Sequence, residues 1–331
     1  MKKRILSGMR PTGRLHLGHL VGALDNWSRL QEEYETFYMV ADWHAISTAY
    51  EDKIALRELS VMIIADWIAA GIDPEKSVLF IQSAVKEHAE LHLLLSMLTP
   101  LSWVERNPSF KETIEQLTSK NISTYGFLGY PVLQAADILM YMAEVVPVGQ
   151  DQLPHLELAR EIVRKFNNLY SETLLEPKAM LTKAPKLLGL DKRKMSKSYN
   201  NFILMSEEET ELKKKVNAMI TDPARVYKTD PGHPDICAVF EYHGYFSSGR
   251  KDEICDDCKN AKIGCVACKK ILFDNLNSII TPIREKSASL LTDKNKLFEI
   301  IQAGNARARK AAEKTMEKVR KNMGLDYSTD E

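Results

Sequence analysis

Two histidines and three glycines near the start of the chain have the types and spacing expected of a phosphate-binding site. Residues 7–19 read S-G-M-R-P-T-G-R-L-H-L-G-H. Glycine allows close backbone approach, and the imidazole N–H groups of His16 and His19 can donate to phosphate oxygens. Residues 194–198, about 175 positions further along, read K-M-S-K-S, and their two lysines could neutralise the same anion. Each stretch alone has a simpler explanation, a histidine that caps its own helix or a solvated basic loop.

A strand and a helix must hold the first stretch in place. Residues 4–6 predict a short buried strand, and residues 20–30 have the apolar spacing of a helix. The N-terminus of that helix offers backbone N–H groups and the positive end of the helix dipole. This arrangement favours an anion beside the glycines.

The first half of the chain alternates between predicted strands and predicted helices. Apolar runs predict further strands at residues 36–40, 78–81 and 145–148, with helical spacing between them. Such alternation predicts an α/β fold with a doubly wound, parallel, Rossmann-type sheet. Ligands bind such sheets beyond the carboxyl ends of the strands, which is where the first stretch lies.

The pattern changes to helices and turns after residue 198, with no convincing strand. We therefore predict a catalytic domain over residues 1–198, a mostly helical domain over residues 199–295, and a C-terminal helix over residues 296–331 that packs back on the first domain. The basic residues of the last helix form a solvated face or a phosphate-binding surface. They are Arg307, Arg309, Lys310, Lys314, Lys318, Arg320 and Lys321.

Length, charge and hydropathy narrow the class of protein. With 331 residues, 44% of them hydrophobic, the chain can bury a substantial core. Its 45 basic and 45 acidic residues give no global basic field, so a nucleic-acid partner would need local basic patches. We find no membrane-spanning run and no signal peptide, and we expect a cytoplasmic protein without a membrane partner.

All five cysteines lie within 32 residues, from position 237 to position 268. In a cytoplasmic protein this clustering favours a metal site over disulfides or scattered free thiols. A C-x-x-C pair chelates one metal easily because both thiolates reach it from one turn. Two sets of four cysteine ligands are possible. The first is Cys255, Cys258, Cys265 and Cys268, as in a compact zinc site, and the second replaces Cys255 by the distant Cys237.

The two phosphate-binding stretches resemble the H-I-G-H and K-M-S-K-S signatures of class I aminoacyl-tRNA synthetases. Further segments resemble the tryptophanyl members of that family, and the resemblance runs from about residue 5 to residue 320. These segments are A-D-W-H-A at 41–45, Y-P-V-L-Q-A-A-D-I-L at 130–139, V-P-V-G-Q-D-Q at 146–152 and D-P-A-R at 222–225.

The resemblance implies an enzyme that activates L-tryptophan with ATP and Mg²⁺ and transfers it to tRNA(Trp), working as a homodimer. The amino-acid carboxylate attacks the α-phosphate of ATP, so catalysis consists of positioning and charge stabilisation. The implied catalytic residues are His16, His19, Lys194 and Lys197. The implied ATP-binding residues are Arg10, Pro11, Thr12, Gly18, His19, Gly149, Gln150, Asp151, Leu187, Lys194, Met195, Ser196, Lys197 and Ser198. The implied tryptophan-binding residues are Gly8, His44, Tyr130, Gln134, Asp137, Val148 and Gln152.

Four of these positions depart from many bacterial members of the family. His16 and His19 stand where Thr and Asn are common, Gln134 stands where Met is common, and Gln150 stands where Glu is common. The departures concern single contacts and leave both signatures recognisable.

Asp137 is a carboxylate in an almost wholly apolar segment, so it needs a partner if it is buried. The simpler interpretation is that Asp137 forms an ion pair or lies on the surface of its helix. By resemblance, its partner is the indole N–H of tryptophan. A phenylalanine ring has no such donor, and a tyrosine hydroxyl would project to a different point. We therefore expect a strong preference for tryptophan.

The second cysteine set also carries a resemblance. Cys237, Cys258, Cys265 and Cys268 are similar to the ligands of a bacterial subset of tryptophanyl enzymes with a four-iron cluster, in which the first gap is slightly longer. The resemblance implies a [4Fe–4S] cluster, with Zn²⁺ as the alternative. Its role would be structural, in the domain that recognises the anticodon.

Three other functions compete with this interpretation. A tyrosyl-type synthetase shares the fold, and small nucleotidyltransferases share the H-x-G-H signature but lack the helical half and the K-M-S-K-S stretch. A nucleic-acid-binding or redox-sensing module could reuse an inactive synthetase fold. The presence of His16, His19, Lys194, Lys197 and Asp137 argues against inactivity.

Overall fold

The computed structural model describes residues 2–51, 55–107, 124–181, 187–193, 195, 199–247 and 249–327. Five parallel strands form one sheet in the order β3-β2-β1-β4-β5. The strands are β1 (Arg4–Met9), β2 (Glu35–Val40), β3 (Ser77–Ile81), β4 (Val145–Val148) and β5 (Lys178–Leu181). This order is that of a doubly wound sheet, and the predicted α/β class is confirmed.

Helices cover both faces of the sheet and continue into the second half of the chain. In chain order they are α1 (Leu17–His19), α2 (Asp25–Glu33), α3 (Asp42–Ala49), α4 (Leu56–Ala69), α5 (Glu87–Leu98), α6 (Leu101–Glu105), α7 (Tyr125–Met140), α8 (Leu153–Leu169), α9 (Glu209–Ala218), α10 (Ala238–Phe246), α11 (Lys251–Lys259), α12 (Cys265–Thr292) and α13 (Lys294–Asn322). A π-helical turn over Leu20–Leu24 joins α1 to α2. Short 3₁₀ turns lie at Gln82–Ala84, Gln150–Gln152 and Pro234–Ile236.

The alternation of side chains along β2 explains why the sheet is covered on both sides. Phe37 and Met39 face one core, which α5, α7, α8 and the end of α13 complete. Tyr38 and Val40 face the other core, which contains α2 and α4 and also residues of α9, α10 and α12. The helical second half therefore shares a continuous apolar core with one face of the sheet.

Helix α13 covers the outer strand of the sheet. The side-chain oxygen of Asn305 accepts a hydrogen bond from the backbone N–H of Ile81 at 2.9 Å. Arg307 and Arg309 donate to backbone carbonyl groups of Ser77 and Ala84. These contacts give hydrogen-bond partners to backbone groups at the edge strand β3 that would otherwise be unpaired. Within the part of the chain that the structure describes, no helix has the length and apolarity needed to span a bilayer.

Candidate active site

His16 and His19 hold each other at the start of the first helix. Nδ1 of His16 accepts from the backbone N–H of Gly18 at 3.1 Å, and Nδ1 of His19 accepts from the backbone N–H of His16 at 3.2 Å. The two ring centroids lie 3.9 Å apart. An imidazole that accepts at Nδ1 carries its proton on Nε2 when it is neutral. Local capping and phosphate binding are therefore compatible, since they use different ring nitrogens.

Residues 203–205, after the second signature, pair with the turn that carries the first. The backbone N–H of Leu17 donates to Ile203 at 2.9 Å, and that of Met205 donates to Leu15 at 3.0 Å. A Cβ placed on Gly18 would lie 3.3 Å from Sδ of Met195. Met195 therefore lies beside the first signature. The predicted residues Lys194, Ser196, Lys197 and Ser198 lie outside the described residues.

The first signature and the segment after β4 flank the point where the strand order reverses. β1 pairs with β2 on one side and with β4 on the other, so the carboxyl ends of β1 and β4 bound a crevice. A turn over residues 10–13 leaves β1, and the 3₁₀ turn over Gln150–Gln152 leaves β4. Such a crevice suits a nucleotide.

The predicted ATP-binding residues around the crevice differ in exposure. Pro11 and Leu187 are buried, whereas Arg10, Thr12, Gln150 and Asp151 are exposed. A Cβ on Gly149 would lie 2.7 Å from an oxygen of the exposed Asp151, so a side chain there would require Asp151 to move.

Asp137 lies on α7 with 2% of its surface exposed, and protein donors surround its carboxylate. His44 Nε2 lies 2.8 Å from Oδ2, and His88 Nδ1 lies 2.7 Å from Oδ1. Gln82 Nε2 lies 2.9 Å from both oxygens. The hydrogen-bond partners that a carboxylate in an apolar segment requires are thus supplied by the protein itself.

The Asp137 carboxylate is ionised at neutral pH. Burial alone would raise its pKa, but the hydrogen bonds from His44 and His88 outweigh that effect and lower the pKa to about 2. The site therefore presents a fixed negative charge in a largely apolar surrounding. Such a group suits a ligand that carries a directed N–H donor.

Tyr130 and His155 form a second polar group beside Asp137. The Tyr130 hydroxyl lies 3.2 Å from His155 Nε2, and the Tyr130 ring meets the His44 ring edge-on at 6.4 Å. Burial lowers the pKa of His155 to about 4, so its ring is neutral at physiological pH. Nδ1 of His155 lies 3.0 Å from the side-chain nitrogen of Asn107.

Among the other predicted tryptophan-binding residues, two glutamines are linked. Gln134 Nε2 lies 3.4 Å from Gln152 Oε1, and Gln152 in turn donates to Asp151 at 2.8 Å. Val148 is buried at the end of β4. Gly8 is required by the sheet itself, because a Cβ there would lie 2.6 Å from the carbonyl oxygen of Met39.

The sequence alone did not identify Gln82, His88, Tyr141 or His155 as members of this site. Gln82 follows β3 directly, so its position at the carboxyl end of a strand was a usable signal. A single histidine on an apolar helix face, such as His88, carries no comparable signal, because most such histidines are simply satisfied within the core.

Four of the five cysteines line one cavity beneath α10 and α12. Cys237, Cys258, Cys265 and Cys268 share it with apolar residues and with Thr221, Asp222 and Arg225, whereas Cys255 is absent from its lining. No disulfide joins any of them. Among the described residues, no three His, Cys, Asp or Glu side chains stand close enough to bind a single metal ion.

Burial disfavours the ionisation of two of these thiols. It raises the pKa of Cys258, and together with the neighbouring thiols it raises the pKa of Cys268 to about 12. His243 Nε2 lies 3.3 Å from Cys268 Sγ, and Arg225 approaches Cys258 Sγ at 3.9 Å. Gly232 packs against Cys258 with no room for a side chain. A bound cation would favour the thiolate forms of Cys258 and Cys268.

Comparison with known proteins agrees with this geometry. The family model described as tRNA synthetases class I (W and Y) matches residues 1–281. A tryptophan–tRNA ligase from Thermotoga maritima is 53% identical over 98% of this chain and its own full length. The chain belongs to the tryptophan–tRNA ligase family. A ligase of the same name from Aquifex aeolicus is 44% identical over 97% of this chain and its own full length.

Solved structures place the fold in the same family. The tryptophanyl-tRNA synthetase from Campylobacter jejuni, complexed with ADP and tryptophan, superposes with a TM-score of 0.89 and 35% identity, covering 97% of this chain and all of its own. A tyrosyl-tRNA synthetase from Archaeoglobus fulgidus, at 21% identity, 86% coverage of this chain, 90% of its own and a TM-score of 0.65, shares the fold alone. The higher similarity thus lies with the tryptophanyl branch.

Proposed function

We propose that the chain activates L-tryptophan with ATP to tryptophanyl-adenylate and pyrophosphate, and then transfers the tryptophan to its tRNA. The observation that carries this proposal is the ionised Asp137 carboxylate, buried against His44 and Gln82, which follow the carboxyl ends of β2 and β3. The chain's membership of the tryptophan–tRNA ligase family supports the same reaction.

In the first step a carboxylate oxygen of tryptophan attacks the α-phosphorus of ATP. The bond from that phosphorus to the bridging oxygen of the β-phosphate breaks, and pyrophosphate leaves with the electron pair. The attacking group is already ionised, so no side chain has to remove a proton. His16, His19, Lys194, Lys197 and Mg²⁺ would stabilise the charge that accumulates on the phosphates.

In the second step a ribose hydroxyl at the end of the tRNA attacks the carbonyl carbon of the adenylate, and AMP leaves.

We assign catalysis to residues 1–198 and anticodon recognition to residues 199–295. Arg307, Arg309 and Arg320 bond to the first domain, whereas Lys310, Lys314 and Lys318 are exposed. Together with the exposed Lys321, those lysines could contact tRNA phosphates.

We assign ATP to the crevice between β1 and β4. Its proposed contacts are Arg10, Pro11, Thr12, Gly18, His19, Gly149, Gln150, Asp151, Leu187 and residues 194–198. The backbone pairing of residues 15–17 with residues 203–205 and the position of Met195 beside Gly18 support this assignment.

We assign tryptophan to the pocket that Asp137 closes. The indole N–H would bond to Oδ2, the oxygen that His44 contacts in the structure. The proposed remaining contacts are Gly8, Tyr130, Gln134, Val148 and Gln152. A ligand with the N–H would add a charge-assisted hydrogen bond to Oδ2 that a ligand without it cannot make, which is the physical basis of the discrimination.

We further propose that Cys237, Cys258, Cys265 and Cys268 hold a [4Fe–4S] cluster. Their shared cavity and the exclusion of Cys255 from it support this set over the two C-x-x-C pairs. A cluster spaces its ligands more widely than a single Zn²⁺ with bonds of about 2.3 Å, which fits thiols that are grouped but not in contact. The cluster would cross-link α10, α11 and α12, and the reaction requires no redox step.

A homodimer is supported by one apolar surface patch. Leu93 and Met97 on α5, Leu101 on α6 and Tyr125 on α7 are each more than half exposed, and these helices pack together. Such a patch on a protein surface marks an interface. Met97→Glu should give a monomer in sedimentation, whereas an unchanged dimer would place the interface elsewhere.

We propose that the enzyme acts in the cytoplasm, where its ATP and tRNA substrates meet.

The decisive experiment is amino-acid-dependent exchange of pyrophosphate into ATP. Tryptophan should support exchange far better than tyrosine or phenylalanine. Asp137→Asn, which keeps the size of the side chain, should lose most of that preference. Comparable kcat/KM for tyrosine in the unmodified enzyme would refute the assignment, and exchange without any amino acid would favour a simple nucleotidyltransferase.

A further inference from the structure

A chain of three buried side chains runs behind the proposed indole-binding carboxylate. The Tyr141 hydroxyl lies 2.7 Å from His88 Nε2, and His88 Nδ1 lies 2.7 Å from Asp137 Oδ1. His88 and Tyr141 are fully buried, one on α5 and the other just after α7. The three residues thus link two helices at the floor of the pocket.

The chemistry of the two end groups fixes one hydrogen bond of this chain. The ionised Asp137 carboxylate only accepts, so Nδ1 of His88 is the N–H donor. Burial, and then the charge of Asp137, raise the pKa of Tyr141 well above its ordinary value, so its hydroxyl keeps its proton and can donate to an unprotonated His88 Nε2.

Gln82 supports the same carboxylate from the neighbouring strand. Its Nε2 lies 2.9 Å from each Asp137 oxygen, and its Oε1 accepts from the backbone N–H of Trp43 at 3.2 Å. A reversal of the amide would place its oxygen against the carboxylate and its nitrogen against a donor. The orientation of Gln82 is therefore determined, and its side chain is fully buried.

We propose that His88, oriented by Tyr141, and Gln82 are positioning residues that set tryptophan specificity by fixing the direction in which Asp137 Oδ2 faces the ligand. The inference rests on the proposed contact between Asp137 and the indole N–H. His88 holds Oδ1 and Gln82 bridges both oxygens, while Oδ2 is also contacted by His44, the more exposed of the two histidines. A carboxylate that cannot rotate keeps its acceptor direction on the indole N–H and cannot turn to suit another ligand.

The test compares tryptophan with its analogue in which sulfur replaces the indole N–H, in the pyrophosphate exchange assay. The unmodified enzyme should prefer tryptophan strongly. Tyr141→Phe removes one oxygen atom and releases His88 Nε2. It should reduce the preference on the order of tenfold, mainly through the KM for tryptophan, while kcat/KM for the analogue changes little.

Matched variants separate positioning from general loosening of the fold. His88→Asn keeps a side-chain N–H near the position of Nδ1 and should retain most of the preference, whereas His88→Leu should lose it. Tyr38→Phe is the control, because Tyr38 is equally buried and its hydroxyl donates to Trp27 on the other face of the sheet. The control should leave the preference unchanged.

The outcomes distinguish this inference from the proposed function. If Tyr141→Phe and His88→Leu reduce kcat/KM equally for tryptophan and the analogue, the two residues are only structural and the inference is overturned. Asp137→Asn tests the indole contact by itself. If Asp137→Asn leaves the preference intact, the indole contact itself is wrong. If it abolishes the preference while His88→Leu does not, only the positioning role fails.

Discussion

Gly304 in α13 lies directly against the backbone carbonyl oxygen of Leu79 in β3, and no side chain fits between them. The helix therefore approaches the strand more closely than any residue other than glycine would allow. The hydrogen bond from Ile81 to Asn305 depends on the same approach. Since Gln82 follows directly on β3, this contact also bears on the site that Gln82 helps to build.

Gly304→Ala should destabilise the protein. The added methyl group would meet the backbone of Leu79, which cannot rotate away, so the helix must shift, at a cost of about 1–3 kcal/mol. Denaturant unfolding measures the difference. Gly126→Ala in α7 is the control, because a Cβ there meets nothing within 4 Å. The control should be neutral or slightly stabilising. Equal stabilities for the two variants would contradict the close contact.

The loop lysines should act on the rate of adenylate formation. Lys194→Ala or Lys197→Ala should lower kcat more than it raises the KM for tryptophan, because the proposed phosphate contacts strengthen in the transition state. Single-turnover pyrophosphate exchange measures both constants. Lys213→Ala, at an exposed position on α9, is the matched control and should leave both unchanged. An unchanged kcat in both loop variants would remove these lysines from the catalytic set.

His155 should make stability depend on pH in the acidic range. Its pKa is about 4 in the folded protein, below the ordinary value of about 6.5, because the folded protein buries the neutral ring. Below pH 6.5 the unfolded chain binds the proton first, so stability falls as the pH drops towards 4. Between pH 7 and pH 5 this residue should account for a loss of about 2 kcal/mol. The free energy of unfolding of His155→Gln, measured at pH 7 and at pH 5, should fall less between the two than that of the unmodified protein. An identical slope would mean that the ring is already charged when folded.

Most of the architecture could be predicted from local patterns. Continuous apolar runs identified β2, β3 and β4, because strands buried on both faces leave little other sequence choice. The prediction missed β5, Lys178–Leu181, whose first and last residues are exposed. That strand is held by backbone pairing with β4. Because backbone pairing does not require particular side chains, the strand could not be predicted from side-chain composition. The π-helical turn after α1 was equally invisible, since its residues read as ordinary helix.

The site was less predictable than the fold. Asp137 stood out because a carboxylate among apolar neighbours needs a partner. Its actual partners come from three other elements: His44 on α3, Gln82 after β3 and His88 on α5. Each is more than 45 residues away along the chain, and each has an ordinary composition around it. Only the packing of α3, the turn after β3 and α5 around α7 brings them together.

The cysteine cavity makes a prediction about metal content that separates the two ligand sets. Protein prepared without oxygen should contain about four iron atoms per chain and absorb broadly in the visible range. Cys237→Ser should lose iron or make it labile, whereas Cys255→Ser should keep it. The two variants make the same chemical change, and only Cys237 lies in the cavity.

The physical reason lies in what the thiols do without a cation. Burial, and then the neighbouring thiols, hold the pKa of Cys268 at about 12, so this thiol stays protonated at neutral pH unless a positively charged centre binds it. Cys237 is fixed at the start of α10 by a hydrogen bond from its backbone N–H to Pro234 at 3.0 Å. Loss of the cluster should weaken tRNA charging and leave pyrophosphate exchange nearly intact, because the ATP signatures lie elsewhere. Stoichiometric zinc, or loss of metal in Cys255→Ser alone, would refute the ligand set and leave the synthetase reaction standing.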